Sequence, residues 1–397
     1  MSGTHPYNAA VPPSVTLSAP QARRRLVAHL GLTHDVGAGA EGTRRVLQRL
    51  RCIQLDPLDV IGTNADLVVM ARVRNVKRGE VWRHLFPGHA FEHFAKERCL
   101  LPSSAFPWYR DRGHLAEAPW WRHGEREHRV SASILHAVAE EIRQRGPLTA
   151  RELMDHGAVE PLDWSGWKGT SKATTMALEL LWTRCDIVVN GRTETGSKIY
   201  DIPERALGPL ARQKTDGHFD RWALLDRVAA AGLLSRATGS HWSMLSKVRT
   251  TSLPDAMIGE GLLCEVKIQD STRRYLALPE FLEQRTGRYD NRIRILGPLD
   301  PLLWDRNLVR SLFAFDYVWE VYKPEHLRKW GWYVCPLLDR DRLIGRIDAR
   351  TEGAVLVVRK LWLDDDADQS RVREALEKHA SACGCVRVRM PRGSKRT

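Results

Sequence analysis

The chain has 397 residues, of which 43% are hydrophobic, so it can bury ordinary cores, and we expect roughly two to four compact units. Its 61 Lys and Arg residues outnumber its 48 Asp and Glu residues, and the net charge of +13 favours a polyanionic partner such as nucleic acid. No apolar run approaches the roughly 18 residues of a membrane-spanning helix, and the N-terminus lacks a signal-peptide pattern. We therefore expect a cytoplasmic protein without membrane contact.

The most specific sequence motifs of enzymes are missing from the sequence. Seven cysteines are scattered, and the closest pair, Cys383 and Cys385, is one residue tighter than the CxxC spacing of zinc sites. There is no phosphate-binding glycine loop, no HExxH pair and no nucleophile elbow. We predict reduced thiols, no metal and no cofactor.

The first third of the chain is predicted to be mainly helical. Residues 1–16 form a flexible tail in this prediction, and Ser18 caps a helix through residues 22–29. A second helix is predicted over 42–54 and a strand over 67–73. We assign residues 17–127 to a first winged-helix-like unit.

Residues 128–208 show the clearest order of elements. An apolar stripe predicts a helix that Gly146 ends, a short helix follows over 150–156 with Thr149 as its cap, and a third helix covers 171–184. Strands over 187–189 and 198–202, with a turn at Asn190-Gly191, predict a hairpin. Three helices followed by a hairpin are typical of the winged helix, a variant of the helix-turn-helix.

The same order recurs over residues 209–291, with helices predicted over 219–232 and 240–249 and a hairpin over 262–268 and 275–278. This spacing indicates a repeat of roughly eighty residues. From residue 292 the pattern changes to strands over 317–322, 331–338, 343–349 and 354–363, then a helix over 369–382 and a strand over 386–390. The sequence thus predicts an α+β fold, in which tandem winged-helix repeats precede a β-rich, barrel-like domain over 292–397.

The strongest candidates for chemistry are Gln54 and Asp56. They flank Leu55, and alternate residues of an extended segment point to one side. Two further segments stand out downstream, DLVVMARV over 66–73 and FAKERCLLP over 94–102. The C-terminal third reads PLDPLLWDR over 298–306, then Tyr322 and Pro324, GWYVCPLL over 331–338 and GRIDA over 345–349.

Taken in this order, these segments resemble the YcaQ/AlkX and AlkZ family of winged-helix DNA glycosylases, whose hallmark is Gln-apolar-Gln or Gln-apolar-Asp in the first domain. Trp164, Trp167 and the segments ALE over 177–179 and YDI over 200–202 extend the resemblance over nearly the whole chain beyond the tail. One departure is Lys96, which stands where relatives often have His.

The resemblance implies a monofunctional glycosylase that excises N7-alkylated purines, unhooks interstrand crosslinks and leaves an abasic site. Asp56 would activate water and stabilise the oxocarbenium ion, while Gln54 would position the water or the sugar. Glu97 is the second-ranked acid. A base tethered to both strands cannot swing into a deep pocket, so we expect a shallow site.

The expected partner is double-stranded DNA that carries alkylated purines or crosslinks, bound by a monomer. Residues around the predicted recognition helix and wing of the second unit are candidates for DNA contacts, namely Trp164, Trp167, Lys168, Lys172, Arg192 and Lys198. Two alternatives stay open at this stage. A winged-helix transcription regulator would share the fold and the charge, and a glycosylase could serve general repair or the self-resistance of a genotoxin producer.

Overall fold

The computed structural model describes residues 14–111, 126–160, 171–391 and 395–396, which form an α+β protein. None of the helices within these ranges has the length and hydropathy needed to cross a bilayer. The elements of the first range are β1 (Ser14–Leu17), α1 (Ala19–His29), β2 (Gly37–Ala38), α2 (Gly39–Leu50), β3 (Ile53–Gln54), α3 (Asn64–Met70), β4 (Val73–Arg74), α4 (Glu80–Leu85), β5 (Ala90–Ala95), β6 (Glu97–Pro102) and α5 (Phe106–Asp111).

The middle of the chain alternates helices with short strands. Its elements up to the second hairpin are α6 (Ala132–Arg145), β7 (Leu148–Thr149), β8 (Ala158–Val159), β9 (Ser171–Lys172), α7 (Ala173–Thr183), β10 (Val188–Arg192) and β11 (Lys198–Asp201). They are followed by α8 (Pro203–Leu207), α9 (Phe219–Ala231), β12 (Leu234–Ser235), α10 (Leu253–Gly259), β13 (Cys264–Ile268), β14 (Arg274–Ala277) and α11 (Pro279–Leu282).

The last hundred residues contribute the largest sheet. Their elements are β15 (Ile293–Ile295), α12 (Arg306–Phe313), β16 (Val334–Asp339), β17 (Arg342–Glu352), β18 (Val355–Leu363), α13 (Gln369–Ala382), β19 (Arg387–Arg389) and β20 (Lys395–Arg396). The strand order is β15-β16-β17-β18-β19, and β20 also pairs with β18. Among the described strands, the two edges β15 and β19 do not pair with each other, so this sheet is open.

One arrangement occurs three times. A helix (α2, α6 or α9) is followed, three positions after its last residue, by a two-residue strand (β3, β7 or β12). That short strand later pairs antiparallel with the second strand of a hairpin, which gives the orders β3-β6-β5, β7-β11-β10 and β12-β14-β13. The first residue beyond each helix has a positive φ, namely Arg51 (60°), Gly146 (92°) and Gly232 (70°).

The packing divides the molecule differently from the repeats. Buried side chains of α1 to α4 and of the C-terminal sheet belong to one continuous core, which includes Leu47, Val68, Ile347 and Leu376. The second and third repeats have cores of their own, around Trp182 and Trp242. The first repeat and the C-terminal domain are therefore packed as a single body.

Several predicted elements match the structure and others do not. The cap at Ser18, the helix from Gln369 to Ala382 and both hairpins are confirmed. Strand β1 includes the last three residues of the predicted tail, 14–16, and the rest of that tail lies outside the described residues. The predicted strand over 67–73 is wrong over residues 67–70, which belong to α3, and only Val73 lies in a strand. Thr63 caps that helix through a reciprocal pair of hydrogen bonds with Asp66, and every residue of α3 is buried, so its apolar run carried no periodic signal.

Four other predictions are wrong for local reasons. The predicted helix over 150–156 is a single turn, and the one over 240–249 is two short 3-10 turns. The turn of the second hairpin lies at Thr193 to Gly196, while Asn190-Gly191 forms an irregularity within β10. No strand forms over 317–322, and the buried Glu320 carboxylate in this stretch instead accepts hydrogen bonds from the Lys329 and Trp330 amides.

Candidate active site

The Gln54-Leu55-Asp56 segment lies on the edge strand of the first repeat. Helix α2 ends at Leu50, and Ile53 and Gln54 then pair with Leu100 and Cys99 of β6. The Leu55 amide continues this ladder by donating to the Arg98 carbonyl at 2.8 Å. Because side chains alternate along a strand, Gln54 and Asp56 face one side while the apolar positions face the core.

Asp56 has one engaged and one available carboxylate oxygen. Its Oδ1 accepts a hydrogen bond from the Leu58 amide at 2.9 Å, which makes a turn around Pro57. Among the described residues, no hydrogen bond reaches Oδ2. The side chain is half-buried, and this burial raises its pKa above the usual value, although the Leu58 amide opposes the shift.

Gln54 is oriented by a buried lysine. Lys96 is 5% exposed, its Nζ donates to Gln54 Oε1 at 2.9 Å, and it lies 5.2 Å from the centre of the Trp304 ring. Burial lowers the pKa of Lys96. Since Lys96 occupies the carbonyl oxygen, the amide NH2 of Gln54 is the group left to meet a ligand.

The C-terminal domain supports the motif from behind. The Asn64 side chain donates to the backbone carbonyl of Gln54 at 2.8 Å and accepts from the Leu299 backbone amide at 3.1 Å. The Asn64 side-chain amide therefore joins both segments. Next to it, Arg72 and Asp300 form a fully buried bidentate pair with distances of 2.7 and 2.9 Å. The segments 66–73 and 298–306, which the resemblance singled out, thus meet directly behind Gln54.

Glu97 occupies the turn between β5 and β6, where its φ is +60°. The side chain is exposed, and its carboxylate accepts a hydrogen bond from the Ser243 hydroxyl of the third repeat. Its charge opposes the lowering of the Lys96 pKa, so the two side chains are close. Glu97 makes no hydrogen bond with Gln54 or Asp56, and its catalytic role stays a prediction.

Tyr333 is a neighbour of Asp56 that was not chosen as a site residue from the sequence. It is 1% exposed, and burial raises its pKa strongly, with further increases from the nearby charges of Asp56 and Asp59. Its hydroxyl has no hydrogen-bond partner among the described residues. The available signal was its place within the quoted segment 331–338.

The predicted DNA-contact residues have varied surroundings. Lys172 is exposed and pairs with Asp155 at 2.8 Å. Arg192 pairs with the buried Glu92 and lies 4.5 Å from the Trp82 ring centre. The remaining candidates are Lys198, which lies 3.5 Å from Glu179, and Trp164, Trp167 and Lys168, which fall outside the described residues.

Arg192 thus helps to hold the second hairpin against the first repeat, whereas Lys198 pairs within the second repeat. Burial lowers the pKa of Lys198, which lies 5.3 Å from the Trp182 ring centre. The carboxylate that receives Arg192, Glu92 on β5, lies far from it in the sequence, and Glu179 on α7 lies 19 positions before Lys198. Charge and spacing alone therefore could not show that these side chains have internal partners.

Two further observations limit the chemistry of this site. A cleft of about 1030 Å³ is lined by residues such as Arg74, Arg292 and Lys378, but not by Gln54, Asp56 or Glu97. Within the described ranges, no three His, Cys, Asp or Glu side chains are grouped as metal ligands would be. The described side chains that can act at the motif are therefore carboxylate, amide and ammonium groups.

Comparison with known proteins places this site in a family. The family model for AlkZ-like DNA glycosylases matches residues 47–384, which include the Gln54-Leu55-Asp56 segment and most of the C-terminal domain. This chain belongs to the AlkZ-like DNA glycosylase family. It is accordingly a DNA glycosylase, a hydrolase of N-glycosidic bonds, and DNA is its substrate.

The fold agrees with that assignment. The structure of the Streptomyces sahachiroi DNA glycosylase AlkZ is similar, with a TM-score of 0.58 and 19% sequence identity. The match covers 95% of this chain and 100% of that one, so the similarity extends over the whole architecture. The family resemblance and the prediction of a DNA glycosylase are both confirmed.

Proposed function

We propose that this enzyme hydrolyses the N-glycosidic bond of N7-alkylated purines in duplex DNA, with Asp56 as the catalytic carboxylate. The observation that carries the proposal is the state of Asp56. Its Oδ1 is fixed by the Leu58 amide, while Oδ2 has no partner among the described residues. A carboxylate held in this way is oriented and still able to accept a proton.

The chemistry of the leaving group explains why one carboxylate is enough. Alkylation at N7 puts a positive charge on the purine, so the base departs neutral and needs no proton from a general acid. As the bond breaks, the sugar develops oxocarbenium character, which a fixed negative charge stabilises. Asp56 would then accept a proton from the attacking water, and an abasic site would remain.

Gln54 would act as a hydrogen-bond donor in this mechanism. Lys96 donates to its carbonyl oxygen, so the amide NH2 can donate to an oxygen of the water or of the sugar. When a fixed group orients a reactant, the reactant loses its rotational freedom on binding and not in the transition state, which lowers the barrier. Glu97, at the hairpin turn beside Lys96, would supply a second carboxylate near the substrate.

The expected substrate range includes interstrand crosslinks. A crosslinked base must be reached from an open surface, and the location of Gln54 and Asp56 on an edge strand supports such access. The cleft of about 1030 Å³ does not include these residues. These features support unhooking of a nitrogen-mustard crosslink. We expect the enzyme to act as a monomer at the nucleoid.

We also infer that the three repeats are winged-helix units. A helix, a short strand, a further helix and a hairpin that pairs with the short strand support this reading in each case. The open C-terminal sheet would then be the barrel-like domain. Lys172, which is exposed on the second repeat, stays a candidate for phosphate contact together with Trp164, Trp167 and Lys168.

The proposal is tested with duplexes that contain a single N7-methylguanine or a nitrogen-mustard crosslink. Asp56→Asn should lower single-turnover excision about a hundred- to a thousandfold while duplex affinity stays near that of the wild type. Asp59→Asn is the matched control, because Asp59 lies three residues away and already pairs with Arg78 at 2.8 Å. Equal excision by Asp56→Asn and wild type would overturn the assignment of the catalytic carboxylate.

The crosslink duplex tests the substrate range separately. Release of N7-methylguanine without unhooking of the crosslink would restrict the enzyme to lesions on one strand of a duplex. It would leave the role of Asp56 intact. Conversion of the crosslink to two separated strands, lost in Asp56→Asn, would support one site for both reactions. Alkali-labile cleavage at the lesion reports the abasic product in either case.

A further inference from the structure

One surface of the C-terminal domain is organised for a partner that the mechanism above does not use. The segment 321–332 joins the region after α12 to β16 and forms no strand. Its exposed side chains include three large apolar or aromatic groups, Tyr322 (86% exposed), Leu327 (60%) and Trp332 (37%). Large aromatic side chains at such exposure are unusual unless they serve an interface.

The segment is held rigidly in spite of its irregular path. Glu320 is 2% exposed, and its carboxylate accepts hydrogen bonds from Lys323 Nζ at 2.9 Å and from the amides of Lys329, Trp330 and Gly331 at 3.1, 2.7 and 3.3 Å. Although burial opposes the shift, these donors lower the pKa of Glu320 to about 2. The backbone is thus closed around one buried carboxylate that stays ionised at neutral pH.

The ring of Trp330 adds a second anchor. The Arg346 guanidinium lies 3.9 Å from its centre on one side, and Trp362 of β18 meets it edge-on at 5.4 Å. Trp330 is therefore part of the packing, in contrast to the exposed rings on either side of it. This arrangement presents Tyr322 and Trp332 on a firm base, which lowers the entropy lost when they bind a partner.

Four cations belong to the segment or to the neighbouring strand β18. Arg328 and Lys329 belong to the segment itself, and Arg359 and Lys360 are exposed on β18. A β-bulge between Asp348 and Ala349 explains the last two, because Asp348 pairs with Lys360 and Ala349 with Val358, which leaves Arg359 as the extra residue. None of the four cations has a carboxylate within 4 Å among the described residues.

Two contacts show that segment and bulge form one surface. A Cβ at Gly331 would lie 2.6 Å from Asp348 Oδ2, so the segment passes directly over Asp348. Burial raises the pKa of Asp348, while the charges of Arg359, Lys360, Arg350 and Arg328 lower it, which places these cations around the same carboxylate. We call the segment 321–332 together with Arg359 and Lys360 the aromatic–basic surface.

The surface also borders the candidate active site. Trp332 and Tyr333 are adjacent, with ring centres 6.4 Å apart. The charge of Asp56 contributes to the raised pKa of Tyr333, so Asp56 is near the end of the segment. A duplex whose lesion lies at Asp56 would have flanking phosphates within reach of a surface placed here.

We propose that the aromatic–basic surface binds the DNA duplex beside the lesion, where Arg328, Lys329, Arg359 and Lys360 contact phosphates and the Tyr322 and Trp332 rings contact bases exposed at the damaged step. Cations without a carboxylate partner, interleaved with aromatic rings, are the combination that recognises a phosphate backbone and unstacked bases. The inference rests on the proposed duplex substrate, but its test measures binding and needs no catalysis.

The cations are tested by equilibrium binding to an undamaged duplex of about 20 base pairs over a series of salt concentrations. Arg359→Ala/Lys360→Ala should bind more weakly, and the slope of log K against log salt should fall by about 2, because each phosphate contact contributes roughly one. Arg285→Ala/Arg288→Ala is the matched control, since it removes two exposed cations elsewhere. Equal slopes for the two double variants would overturn the proposal.

The rings are tested with a duplex that carries a tetrahydrofuran abasic analogue, which leaves one base without a partner. Tyr322→Ala and Trp332→Ala should each lose about five- to a hundredfold in affinity for this duplex, and less for the intact one. Phe at either position keeps a stacking ring and should stay within about twofold of the wild type. Unchanged affinity of both Ala variants for the abasic duplex would exclude the rings as base contacts.

These results are separable from failure of the proposed reaction. Loss of binding in the surface variants with no lesion excision by the wild type would support the surface and reject the substrate. Thermal unfolding of each variant checks that the domain is intact. If a variant of the rings does not fold, Glu320→Gln, which weakens the hydrogen bonds of the segment without removing a ring, should reduce the preference for the abasic duplex.

Discussion

The three short strands β3, β7 and β12 occupy one position in the repeated topology, but the residues just beyond them differ. In each strand, an apolar residue pairs with the second hairpin strand and a polar residue comes next. The polar residues are Gln54, Thr149 and Ser235. Two positions further on, the first repeat has Asp56, whereas the second has Arg151 and the third has Ala237.

The surroundings of these polar residues differ in the same way. The Thr149 amide donates to Glu152, and the Ser235 hydroxyl accepts from the Ala237 amide, so both residues serve local turns. Gln54 instead reaches Lys96 on the neighbouring hairpin, which lies against Trp304 of the C-terminal domain. The backbone that the repeats share thus fixes the position of this polar residue, and for Gln54 the contact of Lys96 with the C-terminal domain adds support from outside the repeat.

The largest expected effect comes from breaking the contact between the first repeat and the C-terminal domain. Asp300→Ala would leave the Arg72 guanidinium buried without its bidentate partner, and we expect a loss of about 3–5 kcal/mol in the free energy of unfolding. Asp366→Ala is the control, because it removes an exposed bidentate pair with Arg342 and should change stability little. Denaturant unfolding measures both; similar losses would show that the buried pair is not special.

The comparison also shows how far the sequence alone could be read. Capping residues and amphipathic stripes identified α1, α6, α9 and α13, and alternation identified the hairpins, because these signals are local. The buried α3 was predicted as a strand, since an element that is buried on all sides has no periodicity. The Gln54 and Asp56 pair was found as a pattern, and its support by Asn64 and Leu299 depends on a contact across 235 positions that no local rule contains.

The same limit applies to charges. Arg192 and Lys198 were candidates for phosphate contacts by position, but each has a carboxylate partner on another element, Glu92 of β5 and Glu179 of α7. The aromatic–basic surface was missed for the opposite reason. Only the two ends of its segment 321–332 were predicted, as parts of strands over 317–322 and 331–338, and the sequence does not show that the Glu320 side chain that organises it is buried.

The next largest effect is expected on kcat and concerns Lys96, the lysine that contacts Gln54 in the first repeat. Lys96→Met should lower kcat about ten- to a hundredfold with little change in KM, because Gln54 loses the donor that orients its amide. Lys198→Met is the matched control, a partly buried lysine on the second hairpin that contacts neither Gln54 nor Asp56. A kcat for Lys96→Met equal to that of the wild type would mean that the orientation of Gln54 does not depend on Lys96.

The pH dependence of kcat should report both ionisable groups. Asp56 must be ionised, and burial raises its pKa, so activity should fall as the pH decreases through a value above the usual 3.8 of aspartate. Lys96 must be charged, and burial lowers its pKa, so activity should fall again as the pH rises, at a value below 10.5. Lys96→Arg should lose the alkaline limb, because arginine stays protonated; an unchanged limb would assign it to another group.

The smallest effect concerns the residue that leads into each short strand. Arg51, Gly146 and Gly232 all have a positive φ directly after their helices, but a side chain other than glycine is strained there. Arg51→Gly should therefore stabilise the protein by about 1 kcal/mol, less whatever its weak contact with Asp226 at 3.9 Å contributes.

The second repeat offers the reciprocal experiment. A Cβ at Gly146 would meet nothing within 4 Å, so Gly146→Ala changes the backbone preference alone and should destabilise the protein by about 1 kcal/mol. Opposite signs for Arg51→Gly and Gly146→Ala, measured by denaturant unfolding, would show that both repeats impose a positive φ at this point. If Arg51→Gly were destabilising, or lowered excision, the strained arginine would itself be needed to lead the chain from α2 into the catalytic strand.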